Sequence, residues 1–241
     1  MAAGTCAEMR APAALVFDFD GVIVDSERLH WETMVEGMEG AGPAFDWAFY
    51  QEHLMGLDDR GAFGLLLARA GIEPSPEEMG RRIAAKAARF AAAAAAGRVP
   101  AYPHAPEFIR ACAAAGPVGL CSGARRSDIV PVLESLRLAG CFSETVTAED
   151  VARSKPDPAS YRLCVERLAA RFPAEGIAPG QCVAMEDTPD GIASARGAGL
   201  VVLGVATHHS AEVLFAAGAS EVVASFAGLA PRDLGRLVFR G

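Results

Sequence analysis

The sequence lacks a basic surplus. Its 22 lysines and arginines face 30 acidic residues, for a net charge of −8. A general nucleic-acid binder needs a cationic surface against phosphates, so that class is excluded. Long apolar runs are also missing. The longest, such as the alanines at 91–96, fall far short of the roughly 20 residues that span a bilayer. Residues 1–12 show no basic start followed by an apolar stretch, which predicts no secretory leader and a cytoplasmic protein. The cysteines at 6, 112, 121, 141, 164 and 182 form no CxxC pair and have no zinc-ligand spacing to histidine. Cys112, Cys121, Cys164 and Cys182 lie in apolar stretches and read as small buried hydrophobes in a reducing compartment. A dinucleotide oxidoreductase would need GxGxxG after the first strand, where only Gly21 stands, and the GxxxxGK[ST] of a nucleotide triphosphatase is absent.

What remains is an ordinary globular composition: 241 residues, 51% hydrophobic and 22% charged. That length suits one large domain, or a domain with a smaller module. Unbroken apolar runs at 14–17, 117–121, 181–185 and 200–205, and a shorter one at 221–224, predict parallel strands covered on both faces. Helical spacing lies between them, as in Ile129, Val132, Leu133 and Leu136, or Leu163, Cys164 and Leu168. The alternation predicts a doubly wound α/β sheet. Residues 26–99 break it. They hold no convincing strand and read as helices over 26–38 with Ser26 as N-cap, over 58–70 ended by Gly71, and over 76–96. Pro100 and Pro103 mark the return. The expected organisation is a core of residues 1–25 and 100–241 with a helical module, residues 26–99, inserted after the first strand.

The first strand runs into Asp18-Phe19-Asp20-Gly21. Residues two apart in an extended segment share a side, so Asp18 and Asp20 are expected to face one point beyond the strand's carboxyl end, where ligands bind in open parallel sheets. Two carboxylates so close need a cation or a proton between them, and oxygen ligands favour a hard ion such as magnesium. A second acidic pair, Glu186-Asp187, ends a later strand. Ser122-Gly123 follows another, and its hydroxyl with the early amides of the next helix suits an oxyanion. Lys155 sits in a stiff Ser-Lys-Pro-Asp-Pro turn. Carboxylates, a divalent cation and a lysine are what phosphoryl transfer requires.

Asp18-Phe19-Asp20-Gly21-Val22 with Asp25, then Ser122, then Lys155-Pro156, then Glu186-Asp187, resembles the four ordered motifs of the haloacid dehalogenase superfamily. The inserted helices resemble the cap of its β-phosphoglucomutase and phosphoglycolate phosphatase branch. The resemblance spans nearly the whole chain and implies a Rossmann-like core with an α-helical cap. It implies Asp18 as the nucleophile and Asp20 as general acid and then base. Magnesium would be held by Asp18, the Asp20 carbonyl and Asp187, with Glu186 assisting directly or through water. Ser122 and Lys155 would bind phosphoryl oxygens, with Gly123 beside them. His30, Lys86 and Arg60, the last in a Gly56-Leu57-Asp58-Asp59-Arg60 segment one residue longer than the family pattern, would contact substrate or couple cap closure to catalysis. Arg125 and Arg126 face either an anionic substrate or solvent at a helix start. Asp25 is expected to start the first helix, and His208-His209 to be loop.

The function this implies is a magnesium-dependent phosphatase acting on a small phosphorylated metabolite, a sugar phosphate or phosphoglycolate-like molecule. A sugar-phosphate mutase is the alternative. The two differ in whether water or a second substrate hydroxyl receives the phosphoryl group. A dehalogenase fits less well because its second acid is missing where Asp20 stands here. A non-enzymatic binding protein would have no need of the intact Asp18, Asp20, Lys155 and Asp187. The expected partners are the metabolite alone, with no nucleic acid or membrane, and the expected state is a monomer.

Overall fold

A computed structural model describes residues 11–55 and 57–239. Cys6 and Gly56 lie outside the described residues. Strand β1 (Ala14–Phe17) is followed by four helices, α1 (Glu27–Gly37), α2 (Trp47–His53), α3 (Asp59–Arg69) and α4 (Pro76–Ala95). The chain then forms α5 (Ala105–Ala115), β2 (Val118–Cys121), α6 (Arg126–Ser135) and β3 (Glu144–Val146). It continues through α7 (Ala159–Arg171), β4 (Cys182–Glu186), α8 (Pro189–Gly197), β5 (Val201–Val205), α9 (Ala211–Ala217), β6 (Glu221–Val223) and α10 (Pro231–Val238).

Among the described residues, six strands make one sheet in the order β3-β2-β1-β4-β5-β6. Every pairing is parallel, which gives the doubly wound architecture expected from the alternation. Strand periodicity of two sends alternate residues to opposite faces. Leu15 and Phe17 join a cluster with Phe108, Ile109, Ile129 and Val132, under α5 and α6. Ala14 and Val16 join Tyr161, Cys164, Leu168 and Ile192, under α7 and α8. The helices between β1 and α5 carry a third cluster around Met34, Phe63, Leu66 and Leu67. The second half of α4 also reaches the sheet's own core through Phe90, Ala93 and Ala94. No helix among the described residues is long and apolar enough to cross a membrane.

Four local features differ from the sequence reading. Strand β3 was not expected: it is three residues long, sits at the sheet edge, and leaves Glu144 and Thr145 half-buried, so it carries no apolar run. The seven-residue α2 is too short to show helical periodicity, and Asp46 caps it by accepting from the Phe49 amide at 2.9 Å. α5, a helix the sequence reading does not give, begins two residues after Pro103, where the return ends. Ser26 stands at the N-cap of α1 but its side chain caps nothing; the hydroxyl donates to Asp20 instead. A side-chain cap does form at α3, where Asp58, read from sequence as the first helical residue, accepts from the Gly61 amide at 2.7 Å.

The chain passes between sheet and inserted helices twice, side by side. The Asp25 amide donates to the Pro100 carbonyl at 3.0 Å, and the Tyr102 amide to the Ile23 carbonyl at 2.9 Å. Val24 and Ala101 form an antiparallel bridge between these bonds. Asp25 therefore lies in this crossing, ahead of α1.

Candidate active site

Strand neighbours explain why distant acidic motifs meet. β1 lies between β2 and β4. Phe17 pairs with Met185 on one side and with Leu120 on the other, so the next residues, Asp18, Cys121 and Glu186, come together at one edge. The Asp18 amide extends the β1–β4 ladder by donating to the Met185 carbonyl at 3.0 Å. Asp18, Glu186 and Asp187 each offer an oxygen, all within 4.8 Å of one another. All three are buried, Glu186 completely.

Lys155 is the counter-charge. Its ammonium lies 2.7 Å from Asp18 Oδ1 and 2.6 Å from Glu186 Oε1, and donates to the Cys121 carbonyl at 3.2 Å. Tyr161, wholly buried on α7, donates its hydroxyl to the same Glu186 Oε1 at 2.6 Å. Burial pushes the Asp18 carboxyl well above the usual range, the Glu186 charge adds to this, and Lys155 offsets part of it. Burial likewise raises Glu186 against the pull of Lys155. Burial opposes the charge on Lys155, yet the carboxylates of Asp18 and Glu186 hold it firmly protonated.

The shared side expected for Asp18 and Asp20 is not fully realised. The backbone bends at Phe19, whose side chain is buried, and the Asp20 carboxylate turns to Ser26 rather than into the three-carboxylate cluster. Burial raises its pKa to about 7, with the Ser26 hydroxyl pulling the other way. Gly21 follows with φ +77°, a left-handed conformation. A Cβ there would stand 1.9 Å from Asp187 Oδ2, so only glycine lets the two acidic loops approach this closely. Gly191 plays the same part for Glu186, with a Cβ falling 1.9 Å from Oε2.

These residues open onto a cavity of about 470 Å³ between the sheet's carboxyl edge and the inserted helices. Asp18, Asp20, Ser122, Gly123, Arg125 and Lys155 line it from the core, and His30, Arg60 and Lys86 from the insert. Ser122 Oγ accepts from the Ala124 amide at 2.9 Å, which leaves its proton to donate. The amide of Arg126 is not open to an oxyanion, contrary to expectation, because it faces the Glu149 carboxylate at 3.2 and 3.3 Å. Lys86 is buried and paired with Asp59, and its Nζ lies 3.0 Å from His30 Nδ1. His30 stacks on Phe90 at 4.3 Å. Burial, and then Lys86, hold the His30 imidazole well below its usual pKa, so it is neutral near pH 7. Among the described residues, Arg60 and Arg125 have no ion-pair partner; both are exposed at the cavity rim.

Sequence reasoning passes over the three tyrosines and gives His208 only as loop. Each tyrosine hydroxyl lands on a group of the site: Tyr50 donates to Glu27 at 2.7 Å, Tyr161 to Glu186, and Tyr102 lies 3.3 Å from His208 Nε2. His208 is in a loop, as expected, but its Nδ1 is 3.0 Å from Asp187 Oδ2. Tyr161 sits on the same apolar face of α7 as Cys164 and Leu168, so it reads from sequence as core.

The residues also fit a divalent cation. Glu186 Oε2 and Asp187 Oδ1 are buried with no hydrogen-bond partner among the described residues. An unsatisfied buried carboxylate oxygen is costly, and two beside Asp18 make an all-oxygen donor set of the kind hard cations take.

The pattern of the haloacid dehalogenase-like hydrolases matches residues 12–199 of the chain. A phosphoglycolate phosphatase of Rhodospirillum rubrum is 29% identical over 90% of this chain and 89% of its own length. Protein CbbY of Cereibacter sphaeroides is 30% identical over 92% of this chain and 96% of its own. Among solved structures, CbbY from Rhodobacter sphaeroides in complex with phosphate superposes with a TM-score of 0.77 at 26% identity, covering 90% of this chain and 96% of that one. On sequence pattern, relatives and architecture alike, the chain belongs to the haloacid dehalogenase-like hydrolases.

Proposed function

We propose that the protein is a magnesium-dependent phosphatase that hydrolyses a small phosphorylated metabolite through an aspartyl-phosphate on Asp18. What carries this reading is the cavity itself: Asp18, Lys155, Ser122 and Asp20 line one wall of a single pocket beside a carboxylate cluster suited to a cation. Asp18, Asp187 and the Asp20 carbonyl would hold magnesium, with Glu186 assisting. When bound, the ion would neutralise charge on the phosphoryl oxygens and on the carboxylates around them.

The residues divide the work. In the first half, an Asp18 oxygen forms a bond to phosphorus while the ester P–O bond breaks. Asp20, whose burial raises its pKa to about 7 so that a large share of the carboxyl carries its proton at neutral pH, gives that proton to the departing oxygen. In the second half, Asp20 takes a proton from water as that water attacks phosphorus. The Asp18–phosphorus bond breaks and inorganic phosphate leaves. Lys155 and the Ser122 hydroxyl steady the phosphoryl oxygens. Residues 26–99 act as the cap, moving on the paired crossing at Asp25 and Pro100, and Arg60 and Arg125 meet a second anionic group of the metabolite from opposite walls. The relatives' names support a phosphorylated carbohydrate or phosphoglycolate-like substrate.

A panel of phosphorylated metabolites assayed for inorganic phosphate, with magnesium and with chelator, tests the proposal. Phosphate release that depends on the metal supports it. Conversion between isomeric sugar phosphates without net release would establish the mutase instead, and no turnover of any phosphomonoester would refute both.

A further inference from the structure

We propose that His208 is the positioning residue that aims the Asp187 carboxylate at the divalent cation. This rests on the metal site proposed above. The two oxygens of Asp187 stand in different surroundings. Oδ2 lies 3.0 Å from His208 Nδ1 and is pressed against Gly21, where even a methyl group would come within 1.9 Å. Oδ1 is buried and has no partner among the described residues. An ionised carboxylate only accepts, so the hydrogen between the two side chains is on Nδ1. Nε2 then faces the Tyr102 hydroxyl at 3.3 Å, which fixes the ring from its other side.

The loop after β5 thus holds both acidic loops at once. Thr207 Oγ1 donates to the Gly21 carbonyl at 2.7 Å, and its neighbour His208 donates to Asp187. A carboxylate free to rotate offers either oxygen in turn. One clamped through Oδ2 offers Oδ1 alone, and the ordering is complete before the ion arrives. Hydrogen-bonded partners behind metal ligands typically raise affinity about 10–100-fold in this way. The His208 side chain is 24% exposed and Asp187 only 3%, so the imidazole can be removed without opening a core.

The test is titration of the full chain, without substrate, with MgCl2 and with MnCl2 by calorimetry. His208→Ala should weaken the dissociation constant at least about tenfold, with the melting temperature of the metal-free protein unchanged. His208→Asn, whose amide nitrogen stands where Nδ1 stood, should recover most of that loss, and His209→Ala should bind like the unaltered chain. If His208→Ala binds within about twofold of the unaltered chain, or the Asn variant is as weak as the Ala variant, the positioning role is overturned while the metal site stands. If the unaltered chain takes up neither ion, the metal site falls and this inference with it.

Discussion

Lys155 is ion-paired to Asp18 across 2.7 Å, with both side chains nearly buried. The same ammonium also serves Glu186, so one cation balances two buried carboxylates. Removing one partner of such a pair leaves charge stranded in a low-dielectric interior. Lys155→Met should therefore cost about 3 kcal/mol of stability, read by urea denaturation, beyond its loss of activity. The double variant Lys155→Met with Glu186→Gln should recover part of that cost. Equal stability of the single variant and the unaltered chain would mean the pair is not formed in solution.

Asp18→Asn tests the covalent scheme. The amide keeps the shape of the side chain but cannot form the phosphoryl ester, so turnover should fall by at least about a thousandfold. Stability should hold or rise, because the variant removes one charge from a cluster where burial already disfavours it. Retained activity above a few percent would place the nucleophile elsewhere.

Asp150, which does not line the cavity, gives a separate pH signature. Burial works against its charge, but the Thr147 amide and hydroxyl and the Arg167 guanidinium outweigh it and lower the pKa to about 2 from the ordinary 3.8. The folded chain thus keeps Asp150 ionised where the unfolded chain takes up a proton. Its contribution is complete above about pH 4 and is lost as the pH falls through 2. Asp150→Asn should cost about 2 kcal/mol at pH 6, and the gap should shrink to roughly half by pH 3. Thermal melts of both proteins across that range read it; a gap that stays constant would contradict the ionised pairing.

Much of this was legible because buried parallel strands are apolar runs and the motif residues sit directly at their ends. Asp18, Ser122 and Glu186 could be placed at strand ends from sequence. That these ends are adjacent follows from the order β2-β1-β4, which no local pattern encodes. What was missed is polar chemistry hidden in apolar or irregular surroundings. Tyr161 shares a helix face with Cys164, and His208 occupies a loop whose place beside Asp187 is set only by the β4–β5 pairing. Ser26 reads as a local cap from sequence because its partner, Asp20, becomes reachable only once the chain bends at Phe19.

Gly21→Ala should separate strain from site assembly. A non-glycine residue at φ +77° costs on the order of 1–3 kcal/mol, and the new methyl group would also displace Asp187 Oδ2. Stability should fall by that amount, while magnesium affinity should fall more steeply than in a surface variant of equal instability. Unaltered affinity would mean the two acidic loops are not in contact.

Asp20 and Asp187 are both acids of the site, yet their variants should differ. The Asp20 carboxylate faces Ser26 and stands outside the carboxylate cluster, to which Asp187 contributes an oxygen. Asp20→Ala keeps the backbone carbonyl, the only group of this residue proposed to touch the ion. Its magnesium affinity should therefore fall only a few-fold, while the proton transfers at Asp20 are lost and turnover drops by about a hundredfold or more. Asp187→Ala removes a ligand and leaves His208 and Gly21 facing an empty space, so affinity should fall by more than in Asp20→Ala. Calorimetric titration of both variants decides it, and an equal loss of metal in the two would show that the Asp20 carboxylate binds the ion after all.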